Sequence, residues 1–447
     1  VKGTRAPRLR LFHISCLLFA SHAQNTYAPR RRAMPGCNNF IGFCNIFFLP
    51  AHPRRLIIGK KANLIIKEDT SMLVNKPPMG WNTWNTFGSR ISDRLIREST
   101  DAFDRLGLRE AGYEYVVIDD CWSKRTRDSK TNRLVADPEK FPQGMKALAD
   151  YVHGKGLKFG MYSCAGQRTC ADYPGSFDHE FLDAETFAEW GVDFLKYDFC
   201  YKPHFVDGPL LYRRMGMALR ASGRDILFSA CNWGSDNVWA WIRSAGAHMY
   251  RSTGDIFDTP ESYRKIAVSQ LDKLGASAPQ CFNDVDMLTV GMYGNGNDAV
   301  HTGCSDADYR SEFVLWCMFS APLILGCDIR IMNEATRKLV TNPELIRIDQ
   351  DAECRPPMAL NHPWNENLRI LFKHLDDGSY ALGLFNMDEK DAEIPVNFSE
   401  LGLPAHAGYD LHVRNILEGG EETYREYMRV LVPAHDCKVY RAELVRQ

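Results

Sequence analysis

From Pro77 onward one unit recurs: an amphipathic helix, a glycine, a short apolar strand, then polar residues that no core would take. In the first full unit, residues 92–106 set Leu95, Ala102, Phe103 and Leu106 on one helical face, and Gly107 stops the helix. Residues 113–118 then form a strand that ends in Asp119-Asp120. Residues 144–152 repeat the pattern with Met145, Leu148, Ala149 and Val152, and lead through Gly154 and Gly156 into a strand at 157–162. The later units place helices at 185–190 and 211–221, and strands at 191–200, 226–231, 248–251, 279–284 and 322–326. With 78–84 as the first, this makes eight strands separated by helices. That order argues for parallel pairing and predicts an α/β fold, a closed (β/α)8 TIM barrel over 72–351; a doubly wound sheet is the alternative.

In either architecture ligands bind at the carboxyl ends of the strands. There the sequence collects Asp119, Asp120, Asp198, Asp255, Asp284 and Asp286, with Trp84, Tyr162 and Trp233 ending other strands at the same rim. In Gly191–Cys200 the alternation of strand faces sends Lys196 and Asp198 to one side, where a carboxylate beside an ammonium keeps its charge, as a nucleophile must. A structural ion pair is the bland reading of the same two residues. After Asp351 the texture changes: runs at 369–373 and 380–386 flank Asp377-Gly378, a hairpin signal, and short strands follow at 392–398, 409–415, 429–432 and 437–443. This predicts a C-terminal antiparallel β-sandwich over 352–447.

A net charge of −2 supplies no field for a polyanion, and no apolar run is long enough to cross a bilayer, so neither nucleic acid nor membrane is expected as a partner. Hydride transfer would want a glycine-rich dinucleotide turn, which is absent, and Lys196 and Arg251 would set positive charge against a metal ion. No cofactor or metal is therefore expected. Acids with aromatic rings suit a small carbohydrate: carboxylates accept from hydroxyls, and an indole covers the apolar face of a sugar ring. Two rivals stand beside a glycosidase. Lys196 at a strand end could form a Schiff base, as in an aldolase, or the site could bind sugar without catalysis.

Five motifs then carry a resemblance. Pro78-Met79-Gly80-Trp81-Asn82-Thr83-Trp84, Ile118-Asp119-Asp120-Cys121-Trp122, Leu195-Lys196-Tyr197-Asp198, Arg251-Ser252-Thr253-Gly254-Asp255 and Asn283-Asp284-Val285-Asp286-Met287 resemble, in order and spacing, those of glycoside hydrolase family 27, the α-galactosidases. The resemblance runs from about Lys76 to the C-terminus and implies a retaining exo-glycosidase. It makes Asp198 the nucleophile and Asp255 the acid/base, with Lys196 and Arg251 keeping the nucleophile region charged. It places Asp119 and Asp120 on the 4- and 6-hydroxyls, and Trp84, Tyr162, Trp233 and Asp286 around the sugar. Cys170 and Cys200 match a bridged pair, whereas Cys121 matches a cysteine whose partner position here is Ser89, which implies a free thiol. α-Galactosidases usually carry glutamate after the cysteine that ends strand five, where it reads the 2-hydroxyl. Here that residue is Asn232, expected to read the same position with relaxed selectivity. α-N-Acetylgalactosaminidase is the alternative within the family. Natural linkage and oligomeric state, a homo-oligomer included, are left open.

Residues 1–71 do not match the rest of the chain: they carry Arg30-Arg31-Arg32 and Arg54-Arg55, and no stretch keeps a clear period. Lys67-Glu68-Asp69 can be encoded by AAG-GAG-GAT, a bacterial ribosome-binding sequence ahead of a Met72 start, so these residues are expected to be translated upstream sequence and the protein cytoplasmic. A secretory signal is the competing reading, since Arg8 and Arg10 precede the largely apolar 11–20, and Ser21-His22-Ala23 resembles a cleavage site. The intact mass of the native protein is expected to correspond to a chain starting at Met72; a mass that includes upstream residues rejects this start.

Overall fold

The structure, a computed structural model, describes residues 73–297, 302–362 and 365–447. The expectations on residues 1–71 lie outside them. The first helix, Asp93–Leu106, forms where the sequence predicts it. Ser92 caps it by accepting from the Leu95 amide at 3.2 Å, and Gly107 ends it in the left-handed region, with φ of 72°. Leu95, Ile96, Ala102, Phe103 and Leu106 form its buried face.

Eight strands follow the predicted order: β1 (Met79–Asn82), β2 (Tyr115–Val117), β3 (Lys158–Cys164), β4 (Phe194–Asp198), β5 (Leu227–Cys231), β6 (Met249–Arg251), β7 (Phe282–Asp284) and β8 (Leu323–Leu325). All neighbours pair in parallel, in the order β7-β6-β5-β4-β3-β2-β1-β8. The ring closes just past β7, where Leu288 bridges Leu325: the Leu288 amide donates to the Ile324 carbonyl at 2.8 Å, and the Gly326 amide donates to the Leu288 carbonyl at 2.9 Å. The TIM barrel is therefore the architecture, and the doubly wound alternative falls. Tyr115, Val117, Phe194, Leu227, Met249 and Phe282 pack together as one hydrophobic cluster. One alternation further along their strands come Asp119, Lys196, Ser229, Arg251 and Asp284, and Asp198 stands one alternation beyond Lys196. Gly160 has no side chain because a Cβ there would lie 2.7 Å from Val117 and 3.2 Å from Phe194.

Boundaries shift in two places that matter. β1 ends at Asn82, so Trp84 opens a helical turn, Trp84–Phe87, rather than ending a strand, and the helix before β4 begins at Glu180, not at residue 185. The expected antiparallel region is present as a six-stranded sheet and a two-stranded sheet. The first contains β9 (Met358–Asn361), β10 (Leu368–His374), β11 (Tyr380–Asn386), β13 (Tyr409–Asn415), β14 (Glu421–Tyr424) and β16 (Cys437–Arg446), in the order β14-β13-β16-β11-β10-β9. The second pairs β12 (Ala392–Asn397) with β15 (Tyr427–Val432). Ile370, Leu382, Leu384, Ile394, Val396, Leu411 and Met428 share their core. The sequence reading lacks β9 and β14, the two edges of the larger sheet.

The helix Asp306–Phe319 lies between this sheet and the barrel, which is why it is buried nearly all round. Phe313, Trp316 and Cys317 share one core with Phe385, Cys437 and Val439, and Arg310 pairs with Asp436 at 2.5 Å. Lys373 of β10 is fully buried. Its Nζ donates to the Ile348 carbonyl at 2.8 Å, in the last turn of the helix Pro343–Asp349, and to Ser320 Oγ at 2.5 Å, just past the helix Asp306–Phe319. Burial pushes this ammonium's pKa down, and the neighbouring Asp349 works against that. Lys373→Met is expected to cost about 3 kcal/mol or more in urea unfolding, since it strands two acceptors and leaves Asp349 without a cation. A midpoint equal to wild type would show that the ammonium is dispensable.

Candidate active site

Ten of the eleven site residues singled out from the sequence line one cavity at the carboxyl end of the barrel: Trp84, Asp119, Asp120, Tyr162, Lys196, Asp198, Trp233, Arg251, Asp255 and Asp286. Together with the solvent at its open mouth, the cavity spans about 720 Å³. Asn232 is not among the lining residues. β5 continues past Cys231 with its alternation intact: Leu227, Ser229 and Cys231 lie on one side, while Phe228, Ala230 and Asn232 lie on the other. Asn232 is buried there and donates from Nδ2 to the Ser235 carbonyl at 2.8 Å. Asn232 thus stands apart from the lining, whereas Trp233, in the left-handed region with φ of 57° and followed by Gly234 with φ of 80°, lines the cavity.

The carboxylates are held by their own strands. Asp119 Oδ2 accepts from Lys196 Nζ at 2.9 Å and from Asn82 Nδ2 at 2.8 Å. Asp120 accepts from the Cys121 amide at 2.6 Å and the Ala171 amide at 2.9 Å, which leaves acceptor capacity for hydroxyls on both oxygens. Lys196 therefore forms its ion pair with Asp119, not with Asp198, and its ammonium lies 5.4 Å from the centre of the Tyr162 ring. Burial acts to lower the Lys196 pKa, but Asp119 outweighs it and the ammonium stays charged.

Arg251 bridges two carboxylates from beneath. It reaches Asp255 Oδ1 at 2.8 Å and Asp286 Oδ1 at 2.8 Å, and it is itself almost fully buried. Asp286 is strained, with φ of 91° on a residue bearing a side chain, and is pinned on all sides. Its carboxylate accepts from the Ile256 and Met287 amides at 2.7 Å each, and its amide donates to Asp284 Oδ1 at 2.9 Å. Trp316 Nε1 donates to its carbonyl at 2.8 Å. Asp284 thus caps a turn, and Trp81 is a core residue, fully buried with Nε1 donating to the Cys327 carbonyl at 2.7 Å.

The two carboxyls with proposed chemistry stand in opposite environments. Asp198 is buried, with 6 % of its surface exposed, whereas the Asp255 side chain is 64 % exposed. Burial raises the Asp198 pKa to about 6, because Lys196 and Arg251 offset it only in part while Asp119 and Asp255 add to it. Lys196 and Arg251 therefore offset the desolvation of Asp198 only in part, so the carboxyl is a weaker acid than an ordinary aspartate. For Asp255 burial also acts upward, but the charge and hydrogen bond of Arg251 outweigh it and hold the group below its ordinary value. Burial likewise takes Asp286 to about 7 against the pull of Arg251.

A disulfide joins Cys170 and Cys200 at the mouth. Both sulfurs lie within 4.8 Å of an Asp198 carboxylate oxygen, and Tyr162 Oη donates to the Cys170 sulfur at 3.4 Å, so the bridge braces the wall beside the proposed nucleophile. Cys121 is a free, buried thiol whose pKa burial pushes up to about 12, which makes it inert. The other free cysteines among the described residues are buried too.

Sequence reasoning did not assign Asn85, Phe257, Asp258, Met292 or Asn297, all of which line the cavity. Phe257 and Asp258 follow Asp255 closely enough for their motif to have flagged them. Met292 and Asn297 sit in the loop after β7, where nothing periodic marks them; the Asn297 side-chain amide donates to the Trp84 carbonyl and holds that turn. Glu312, one turn before Trp316, accepts from the Thr289 amide and hydroxyl at 2.6 Å each, and burial pushes its pKa to about 8.

The chain matches the family model described as Alpha galactosidase A over residues 76–351 and that described as Alpha galactosidase C-terminal beta sandwich domain over 365–442. It is 40% identical over 369 residues to the alpha-galactosidase of Cyamopsis tetragonoloba, covering 81% of this chain and 85% of that protein. Alpha-galactosidase I from Mortierella vinacea superposes with a TM-score of 0.77 at 31% identity, over 83% of this chain and 97% of that one. The Saccharomyces cerevisiae α-galactosidase with raffinose superposes with a TM-score of 0.73 at 25% identity, over 83% and 98% of the two chains.

A carboxyl that is harder to ionise folded than unfolded makes the native state hold more protons. Stability therefore falls as pH rises from the ordinary aspartate value toward about 6 for Asp198. Asp198→Asn removes that cost. The variant is expected to melt roughly 2–4 °C above wild type at pH 7 and level with it near pH 4, by calorimetry; a variant less stable at pH 7 would show that the site stabilises the charge.

Proposed function

The chain belongs to the α-galactosidase family, glycoside hydrolase family 27, and from that membership we propose that it removes terminal α-linked galactose from oligosaccharides or glycoconjugates by double displacement with retention. The observation that carries this reading is the pair of unlike carboxyls facing one cavity, Asp198 at its buried end and Asp255 at its open mouth. Galactose lies over Asp198 with its 4- and 6-hydroxyls donating to Asp119 and Asp120. These acceptors are fixed by backbone amides, Asn82 and Lys196, so they select an axial 4-hydroxyl by position. Trp84, Tyr162, Trp233 and Asp286 complete the wall. The bulk of Trp233, together with the absence of Asn232 from the lining, favours galactose over N-acetylgalactosamine at the 2-position.

In the first step an Asp198 oxygen attacks C1, the bond from C1 to the leaving oxygen breaks, and Asp255 gives that oxygen a proton. In the second, water attacks C1 as Asp255 takes its proton, and the bond to Asp198 breaks. In the free site the order of acidity is the reverse of what the first step needs, since Asp198 is the weaker acid of the two. Substrate corrects this: a leaving group over the exposed Asp255 carboxylate strips it of water and raises its pKa, while sugar hydroxyls take water's place around Asp198. Once Asp198 is esterified its charge is gone, and Asp255 loses a repelling neighbour and becomes the base.

In Asp255→Ala, azide is expected to speed turnover of p-nitrophenyl α-galactoside and to yield α-galactosyl azide, because it attacks the glycosyl-enzyme from the face water would use. Formation of β-galactosyl azide would mean direct displacement and reject double displacement. Absence of rescue, with equal loss on every leaving group, would reject the role of Asp255.

A further inference from the structure

We infer that Phe257 forms a subsite for the leaving group, shaped for a second pyranose ring, so that the enzyme favours oligosaccharide α-galactosides over those with small leaving groups. The inference rests on the function proposed above and gives its substrate class. The cavity has a direction: with C1 over buried Asp198, the leaving oxygen must point toward Asp255, whose side chain is 64 % exposed, and whatever it carries emerges there. Phe257 lines the cavity two residues beyond.

Its backbone is fixed on both sides. The Phe257 amide donates to Ser262 Oγ at 2.9 Å, and its carbonyl accepts from the Thr259 amide at 2.7 Å. The preceding Ile256 amide donates to Asp286 Oδ2 at 2.7 Å, so the segment is tied to the same aspartate that Arg251 holds. Yet the residue is 46 % exposed. A large ring carried on a fixed backbone and left wet at the outlet of a sugar site offers an apolar platform. A pyranose offers it a face of C–H groups, and phenylalanine has no polar atom with which to read hydroxyls. The subsite therefore recognises a ring without discriminating between glucose, galactose and mannose in the leaving position.

The test compares methyl α-galactoside, octyl α-galactoside and melibiose on wild type, Phe257→Ala and Phe257→Trp. The ratio of kcat/KM for melibiose to that for methyl α-galactoside is expected to fall about tenfold in Phe257→Ala and to recover in Phe257→Trp. Transfer of the galactosyl group to added glucose, relative to hydrolysis, should fall in parallel. An unchanged ratio, or equal losses on both substrates, overturns the subsite and leaves Phe257 as support for Asp255. A greater loss on octyl α-galactoside than on melibiose overturns the pyranose in favour of an alkyl chain. Wild type inactive on all three would reject the α-galactosidase reading itself.

Discussion

Within two residues along each strand, the barrel interior passes from close-packed hydrocarbon to charge. Tyr115, Phe194, Leu227, Met249 and Phe282 fill one level, and Asp119, Lys196, Asp198, Arg251 and Asp284 stand one or two alternations above them. Parallel strands with period-two faces permit this because every strand reaches its carboxyl end on the same side. Charges so deep survive only when each finds a counter-charge elsewhere in the ring. β2 meets β4 through Asp119 and Lys196, and β6 meets the chain past β7 through Arg251 and Asp286.

Those pairings leave Asp198 short of compensation. Lys196 is spent on Asp119, and Arg251 divides its contacts between Asp255 and Asp286, so desolvation of Asp198 goes partly unopposed. A fully paired carboxylate would be a poor nucleophile, since attack on C1 would have to break its ion pair. An under-compensated one costs stability when it ionises and gains when an ester removes its charge. In the proposed double displacement, the same shortage that lowers stability above pH 4 would favour the glycosyl-enzyme.

Much of this was legible in the sequence because the signals were local and repeated. A glycine after an amphipathic helix and acids after an apolar run recur in unit after unit, and each fixes an element without knowledge of the others. The edge strands β9 and β14 escaped because they carry no such signal: Glu421-Glu422-Thr423-Tyr424 has no apolar face, and β9 follows Pro356-Pro357. Asn232 stands apart from the lining for a different reason. Its position after Cys231 matched the family's specificity residue, but the alternation of β5 and the left-handed turns at Trp233 and Gly234 decide which side chain turns inward. Lys196 and Asp198 were set on one face, yet alternation cannot tell which acid at the rim will take the ammonium. That choice depends on reach across the ladder from β4 to β2.

The antiparallel region acquires a physical role through one helix. Along Asp306–Phe319, Tyr309, Glu312 and Trp316 fall three and four residues apart, and each supports a loop of the site. Tyr309 Oη donates to Asp258 at 2.9 Å, Glu312 accepts from Thr289, and Trp316 donates to the carbonyl of strained Asp286. The helix also packs against β11 and β16 and is tied to that sheet through Arg310 and Asp436. A helix with one solvated face could shift by the few tenths of an ångström that misplace a carboxylate. Buried between barrel and sheet it cannot do so without opening a cavity on one side or the other, and the interior's close packing makes that costly. The sheet touches none of the lining residues through this helix directly, yet it fixes the surface from which Asp286, and through it Arg251 and Asp255, are held.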